Sequence, residues 1–199
     1  KLFGELDGAN VLDVCAAPGG KTAQLLCGGA NVTAIDISKV RIRRLKENLD
    51  RLGLKAELIH ADIKKWTTSR LFDFIFLDAP CSATGTIRRN PDVLIHKTYE
   101  DVQKLSIVQM EILQKVSELV RPGGQLVYCT CSLQYEEGEA QVDRFLSKNT
   151  GFNRDPISLH EIGSVCDAIN VNGDLRLLPY HLNQNEGVDG FFASRLTRK

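Results

Sequence analysis

The sequence predicts an α/β domain whose mostly parallel, seven-stranded sheet carries helices on both faces. Short apolar runs alternate along the chain with longer segments of helical periodicity, an order that is typical of βαβ units. The chain has 199 residues, of which 43% are hydrophobic, and this is enough to bury one full core. We therefore expect a single doubly wound domain that occupies residues 1–199.

Seven short runs of apolar and β-branched residues, bounded by turn-forming residues, predict the strands. They comprise residues 11–14, 32–35, 56–60, 72–77, 125–129, 175–178 and 191–196. The fourth run is almost continuously apolar, which is typical of a central strand that is buried on both faces.

Three segments have helical periodicity. In residues 38–52 apolar positions recur on one face, with Ser38 suited to the N-cap and Gly53 to the end of the helix. In residues 99–120 one polar residue, Gln109, interrupts a long apolar stripe, and the Pro-Gly-Gly sequence that follows stops the helix. A third helix is predicted over residues 136–148. The solvent face of the first helix is expected to carry its basic residues, Arg41, Arg43, Arg44 and Lys46.

The composition argues against several classes of protein. The chain has 25 basic and 25 acidic residues, which disfavours a freestanding nucleic-acid binder but allows a catalytic domain that shares a polyanion with another domain. No apolar run could span a bilayer, and we expect no membrane association. The cysteines and histidines lack the paired spacing of zinc ligands, so we expect no metal site and no disulfide. We also expect a cytoplasmic monomer.

A loop of small residues follows the first strand. It reads Asp13-Val14-Cys15-Ala16-Ala17-Pro18-Gly19-Gly20-Lys21-Thr22 and leads into a helix, where backbone N–H groups can approach a ligand closely. A Walker A loop needs glycine where Cys15 stands, and the dinucleotide fingerprint needs Gly-x-Gly-x-x-Gly. Since neither phosphate motif is present, S-adenosylmethionine, which has no phosphates, remains the candidate ligand.

Acidic residues end the next two predicted strands. Asp36 lies at about the distance beyond the loop at which an acid meets ribose hydroxyls in such folds. Asp62 follows the third strand, where a side chain can reach an adenine ring. Either residue alone could be an ordinary helix cap or loop acid, but the two together behind the loop favour a cofactor site.

Two cysteines follow the fourth and fifth strands, in Asp78-Ala79-Pro80-Cys81 and in Thr130-Cys131-Ser132. Because ligands bind off the carboxyl ends of the strands in open α/β sheets, both thiols are expected in one pocket. A thiolate that adds to carbon 6 of a pyrimidine makes carbon 5 nucleophilic enough to accept a methyl group. An acid near N3 stabilises such an adduct, and Asp78 is suited to that edge of cytosine.

The other four cysteines are interpreted as packing residues, since buried cysteine is common. They are Cys15, Cys27, Cys129 and Cys166. Cys129 is expected to point to the opposite side from Cys131. A metal site on Cys129 and Cys131 is an alternative without matching ligands elsewhere. A nucleophilic thiol needs a favourable electrostatic setting, which Lys21 and the helix N-termini could supply.

These motifs resemble the Sun/Fmu (RsmB-type) S-adenosylmethionine-dependent RNA 5-methylcytosine methyltransferases. The resemblance rests on the Cys15 loop, on the segments that contain Cys81 and Cys131, and on two further segments, Arg88-Arg89-Asn90-Pro91-Asp92 and Asp189-Gly190-Phe191-Phe192. It covers nearly the whole chain and implies a Rossmann-like class I methyltransferase fold.

The resemblance also implies residue roles. Cys131 would be the nucleophile and Cys81 would assist release of the methylated base. Contact with the cofactor, or a position beside it, is implied for Cys15, Ala16, Ala17, Pro18, Gly19, Gly20, Lys21, Asp36, Asp62 and Asp78. The segment after Cys81 is most similar to members that methylate bacterial small-subunit rRNA and carry a helical, NusB-like N-terminal domain. We expect that this chain is a C-terminal fragment without that domain.

The residues that would contact RNA are marked less specifically by the sequence than the two cysteines and the cofactor loop. Arg88 and Arg89 are expected to hold phosphates, although solvated loop charges are an alternative, and Phe191 and Phe192 are expected in the core. The stretch Val93-Leu94-Ile95 stands where close relatives tend to have Ile-Lys-Trp, so the exact RNA target stays open. Rival functions are tRNA methylation, DNA cytosine methylation and a non-catalytic RNA-binding or ribosome assembly factor.

Overall fold

The carboxyl ends of the parallel strands lie together at one edge of the sheet, and the residues that follow these strands line the main cavity. The computed structural model describes residues 2–163, 166–181 and 187–199. The elements in chain order are β1 Asn10–Val14, α1 Gly20–Cys27, β2 Asn31–Asp36, α2 Lys39–Arg51, β3 Glu57–His60, β4 Phe72–Asp78, α3 Val93–His96, α4 Tyr99–Ser117, β5 Val120–Thr130, α5 Glu139–Lys148, β6 Phe152–Arg154, β7 Leu175–Leu177 and β8 Phe191–Arg198.

The described residues form one sheet in the order β3-β2-β1-β4-β5-β8-β6, with β7 also paired to β8. Strands β1 to β5 are parallel to their neighbours, whereas β8 is antiparallel to β5, β6 and β7. The chain order reverses between β1 and β4, which is the topological switch point where open α/β sheets bind ligands.

Helices cover both faces, as predicted, because alternate strand residues point to opposite sides. One core cluster contains Leu12 of β1 and Leu113 of α4. The other contains Val11 of β1 and Leu45 of α2. All four side chains are fully buried.

The predicted fold class is confirmed, with differences in detail. Every predicted strand is present, but the sheet has eight strands because Phe152–Arg154 also pairs with β8. This strand has only three residues, too few to show alternation. The helix predicted over residues 99–120 ends at Ser117, since the chain enters β5 at Val120. The helix predicted from residue 136 begins at Glu139.

Helix α2 begins and ends as its sequence predicts. The Ser38 side chain accepts a hydrogen bond from the backbone N–H of Arg41, and Gly53 follows the helix with φ of 67°. Leu45 and Leu49 of the predicted face are buried, but Leu52 is half exposed. In α4, Gln109 is fully buried although it is polar, because its amide donates to the Pro80 carbonyl and to Glu137.

Candidate active site

Residues from the ends of β1, β2, β3 and β4 line a cavity of about 370 Å³. This volume lies in the range of small-molecule sites. The lining includes all three acids singled out from the sequence and both cysteines of the paired motifs, namely Asp36, Asp62, Asp78, Cys81 and Cys131. The sheet therefore brings together side chains that are far apart in the sequence.

The loop after β1 borders a second cavity of about 370 Å³, which shares Cys15 and Asp78 with the first. Its lining includes Ala16, Ala17, Pro18, Gly20 and Lys21. Gly19 does not line either cavity. A Cβ at Gly19 would lie 3.0 Å from Leu45 Cγ, and its φ of 102° suits glycine. Gly19 thus lets the loop pack on α2.

Asp36 ties the loop to β2. Its Oδ2 accepts a hydrogen bond of 3.2 Å from the Ala17 N–H, and its Oδ1 accepts one of 2.9 Å from the Ser38 N–H. The residue is buried, and each carboxylate oxygen has a second lone pair for a ligand. Asp36 therefore both caps a turn and lines the cavity, so the two interpretations from the sequence are compatible.

The prediction that Arg41 lies on the solvent face of α2 is incomplete, because Arg41 also contacts the loop after β1 and Asp36. Its Nη2 donates to the Ala17 carbonyl, and its Nη1 lies 3.4 Å from Asp36 Oδ2. Arg41 also lines the first cavity, whereas Arg43 pairs with Glu47 on the surface. Helical periodicity placed both arginines on the same polar face and could not distinguish them.

Asp62 and its surroundings form the far end of the first cavity. Its Oδ1 accepts a hydrogen bond from the Lys64 N–H at 3.0 Å, so it also caps a turn. Ile37 lines the same cavity while 65% of its surface is exposed. An apolar side chain that lines the same cavity as two acids suits a planar ring with polar edges.

Lys21, Asp78 and Cys129 form a cluster around Asp78, which lines both cavities. Lys21 Nζ lies 2.5 Å from Asp78 Oδ2, and the Cys129 thiol donates to Asp78 Oδ1 at 3.7 Å. Burial is the largest single influence on the pKa of Lys21 and lowers it, but Asp78, Cys129 and Asp13 together raise the pKa above its ordinary value. Burial raises the pKa of Cys129 well above its ordinary value. Cys129 is thus an inert, protonated core thiol, in agreement with its interpretation.

The thiols of Cys81 and Cys131 lie side by side, with 3.4 Å between the two Sγ atoms. The hydrogen bond from Cys81 lowers the pKa of Cys131, although burial acts in the opposite direction. The same hydrogen bond, together with burial, raises the pKa of Cys81. The directions of the two pKa shifts therefore favour Cys131 over Cys81 as the thiol that ionises first. Lys21 also lowers the pKa of Cys131, but less than Cys81 does.

The remaining described cysteines lack these properties. Burial raises the pKa of Cys15 to about 12, and Cys27 is an exposed residue of α1. The side chain of Cys166 lies outside the described part of the structure.

Backbone contacts at Gly85 join the segment after Cys81 to the segment that contains Cys131. The Gly85 N–H donates to the Cys131 carbonyl at 2.9 Å, and the Gly190 N–H donates to the Gly85 carbonyl at 2.8 Å. A Cβ at Gly85 would lie 2.6 Å from the Gly190 carbonyl carbon and 2.8 Å from the Cys131 oxygen. Only glycine fits where these three segments meet.

Arg88 and Arg89 both pair with Asp189. Arg89 donates to both carboxylate oxygens of Asp189 through Nε, and Arg88 Nη2 lies 3.6 Å from Asp189 Oδ1. The side chains of Arg88 and Arg89 remain 44% and 58% exposed, so they can also face a ligand. Phe192 is fully buried, as expected for core, whereas Phe191 is half buried.

Glu137 is a site residue that the sequence interpretation missed. It is fully buried and accepts two hydrogen bonds from the Ser82 N–H. No motif marked it, because it lies in a short acidic stretch at the start of the helix predicted over residues 136–148, and charged side chains are ordinarily exposed.

Strand order, the loop after β1, and the acids at the strand ends together define a Rossmann-like class I methyltransferase fold. The described residues contain no cluster of three or more potential metal ligands, and no helix among them is long and apolar enough to cross a membrane. More specifically, the chain belongs to the family described as 16S rRNA methyltransferase RsmB/F, which matches residues 4–197.

Individual relatives agree with this assignment. The chain is 40% identical to ribosomal RNA small subunit methyltransferase B of Klebsiella pneumoniae, over 97% of this chain and 43% of the relative. The chain thus spans less than half the length of that relative. The structure of NSun6 from Pyrococcus horikoshii with SFG is 33% identical, with a TM-score of 0.81 over 96% of this chain and 48% of the other. A methyltransferase homolog from the same organism is 31% identical, with a TM-score of 0.76, over 98% of this chain and 63% of the other.

Proposed function

We propose that residues 1–199 form one S-adenosylmethionine-dependent methyltransferase domain that methylates carbon 5 of cytosine in RNA. We propose small-subunit rRNA as the substrate and the cytoplasm as the place of action, with the domain acting as a monomer. The pair of unequal thiols, 3.4 Å apart beside the cavity that Asp78 lines, is the observation that carries the proposal. Family membership supports the choice of rRNA.

The residues of the two cavities fit S-adenosylmethionine. Asp36 and Asp62 would hold the ribose and adenine, with Ile37 against the ring, and the loop of Cys15 to Lys21 would hold the amino-acid part. The absence of a Walker glycine pattern agrees with a ligand that lacks phosphates. When bound, this cofactor supplies an electrophilic methyl group on a sulfonium ion.

Cys131 would begin the reaction because its pKa is lowered while that of Cys81 is raised, so Cys131 is the thiol that ionises more readily. Its Sγ adds to carbon 6 of cytosine, the C5=C6 electron pair becomes available at carbon 5, and carbon 5 takes the methyl group. The Asp78–Lys21 pair holds a proton beside the site. That proton can neutralise the negative charge that develops at the N3 edge of the ring.

Cys81 would act as the base that allows release of the product. Once Cys131 is bonded to carbon 6 its sulfur is neutral, so the negative neighbour that raised the pKa of Cys81 is gone. Cys81 can then lose its proton to solvent and accept the proton on carbon 5. The C5–H electron pair restores the C5=C6 bond, and the Cys131 sulfur leaves as a thiolate.

The target base must reach this pocket from outside a helix, so we propose a single-stranded or flipped-out cytosine. Arg88 and Arg89 would hold neighbouring phosphates at the mouth of the site, where both retain exposed surface.

The test uses RNA and labelled S-adenosylmethionine. Cys131→Ala is expected to abolish methylation, and Cys81→Ala is expected to accumulate a covalent protein–RNA adduct. Cys27→Ala is the matched control, since Cys27 is an exposed cysteine of α1. Full methylation by Cys131→Ala would refute the nucleophile assignment, and absence of an adduct in Cys81→Ala would refute the release role.

The same assay separates the rival functions. Methyl transfer to DNA rather than RNA would indicate a DNA methyltransferase, and absence of transfer by the wild-type protein to any substrate would favour an assembly factor. Comparing rRNA with tRNA, and then mapping bisulfite-resistant cytosines in cells with and without the gene, identifies the RNA that is modified.

A further inference from the structure

Glu137 places a carboxylate in the interior, directly behind the two thiols. It is fully buried, and none of the ion pairs formed by the described residues includes it. Its oxygens accept hydrogen bonds from neutral donors, namely the Ser82 N–H at 2.9 and 3.2 Å, the Ser82 hydroxyl, and Gln109 Nε2 at 2.9 Å. Burying a carboxylate is costly unless such donors satisfy it, so the position of each donor is strongly constrained.

Each reactive cysteine is followed by a fully buried serine, and the two serines are bonded to each other. Ser82 Oγ lies 3.2 Å from Ser132 Oγ, and both are within hydrogen-bond distance of Thr84 Oγ1. Since Ser82 also bonds to Glu137, the carboxylate and the two serines form one connected polar network behind the Cys81–Cys131 pair.

The backbone of Glu137 bonds to the segment that leads to Cys131. Its carbonyl accepts hydrogen bonds from the Tyr128 hydroxyl at 2.8 Å and from Thr130 Oγ1 at 3.3 Å. Thr130 ends β5 and directly precedes Cys131. One residue thus bonds through its side chain to the segment of Cys81 and through its backbone to the segment of Cys131.

We propose that Glu137 is a positioning residue that holds the Cys81 thiol against the Cys131 sulfur and so sets their separate roles. This inference rests on the proposed function, because those roles are defined by the methyl-transfer reaction. The negative charge of Glu137 also supports these roles, because it adds to the causes that raise the pKa of Cys81. The other titratable groups that interact with the pair are Tyr128 and Asp78, which are acidic, and Lys21 and Arg89, which are basic.

Glu137→Gln tests the proposal with little change in shape. An amide in place of the carboxylate presents a donor to either the Ser82 N–H or the Gln109 amide, so at least one hydrogen bond is lost. We expect kcat to fall by about 100-fold, the cost of a misplaced reacting group, while KM for S-adenosylmethionine is unchanged. Glu136→Gln is the matched control, because among the described residues the Glu136 carboxylate accepts a hydrogen bond only from the Tyr99 hydroxyl, on the surface.

Two measurements on the thiols distinguish positioning from a general structural role. Cross-linking of Cys81 to Cys131 by dibromobimane, located by peptide mass spectrometry, is expected to fall in Glu137→Gln but not in Glu136→Gln. The pH profile of Cys81 alkylation is expected to move to lower pH, because one negative charge has been removed. Unchanged cross-linking and alkylation in Glu137→Gln would overturn the proposal, whatever happens to kcat.

A second variant keeps the test decisive if Glu137→Gln does not fold. Ser82→Ala retains the buried carboxylate and its bond to the Ser82 N–H but removes the hydroxyl that links Glu137 to Ser132. It is expected to reduce cross-linking as well, and wild-type cross-linking in this variant would overturn the proposal. If the wild-type protein fails to methylate RNA while the cross-linking results hold, the proposed function fails and the positioning role of Glu137 remains.

Discussion

Gly85→Ala is expected to separate the two segments that carry Cys81 and Cys131. A Cβ at this position would lie 2.6 Å from the Gly190 carbonyl carbon and 2.8 Å from the Cys131 oxygen. Both are backbone atoms, so no side-chain rotation can relieve the overlap. The backbone hydrogen bonds of Gly85 to Cys131 and Gly190, at 2.9 and 2.8 Å, must lengthen or break.

The size of the effect follows from these contacts. Each lost hydrogen bond costs about 0.5–1.5 kcal/mol, and the forced overpacking costs about 1–3 kcal/mol. The free energy of unfolding should therefore fall by about 2–6 kcal/mol. For a domain of this size each kcal/mol lowers Tm by about 2–4 °C, so the decrease is at least about 4 °C.

Thermal unfolding followed by circular dichroism and a single-turnover methylation assay measure the two consequences. Gly151→Ala is the control, because no atom lies within 4 Å of a Cβ built at Gly151. If the Gly85 and Gly151 variants have the same Tm and the same rate of methyl transfer, then the close approach at Gly85 does not hold the two thiols together.

Three further predictions concern the cofactor loop and the RNA surface. Arg41→Ala should raise KM for S-adenosylmethionine with little change in kcat, because Arg41 supports the Ala17 carbonyl and Asp36; an equal effect of Arg43→Ala would contradict this. Burial raises the pKa of Asp13 from 3.8 to about 7. At a pH between these two values the folded state keeps a proton that the unfolded state has lost, so the free energy of unfolding should decline as pH rises from about 4 to about 7. Denaturant unfolding across this range should show that decline in the wild type and not in Asp13→Asn, which keeps an acceptor for the Thr22 hydroxyl; parallel curves would show that Asp13 is ionised throughout. Arg88→Ala and Arg89→Ala should each weaken RNA binding and lower the slope of log K against log salt by about 1; an unchanged slope would assign these arginines to Asp189 alone.

Much of the fold was predictable because its signals are local. The apolar runs of β1, β2, β4 and β5 and the periodicity of α2 depend on neighbouring residues, and the structure confirms them. The short strand Phe152–Arg154 was not predicted, because three residues carry too little pattern and its pairing with β8 is made across a long stretch of chain. The buried Gln109 interrupted its apolar stripe because it bonds to a distant loop, at Pro80.

The α/β class, the small-residue loop after the first strand, the acids at the strand ends and the two cysteine motifs could all be recognised in the amino-acid sequence. These features depend on residue types and their spacing over short stretches of chain, which do not require the chain to be folded. The tertiary structure was needed to show that the Cys81 and Cys131 thiols lie 3.4 Å apart, that Arg41 faces the loop, that Arg88 and Arg89 share Asp189, and that Glu137 bonds to the segment after Cys81. Those properties arise from hydrogen bonds and burial between segments distant in sequence, and such contacts exist only after the sheet has brought the segments together.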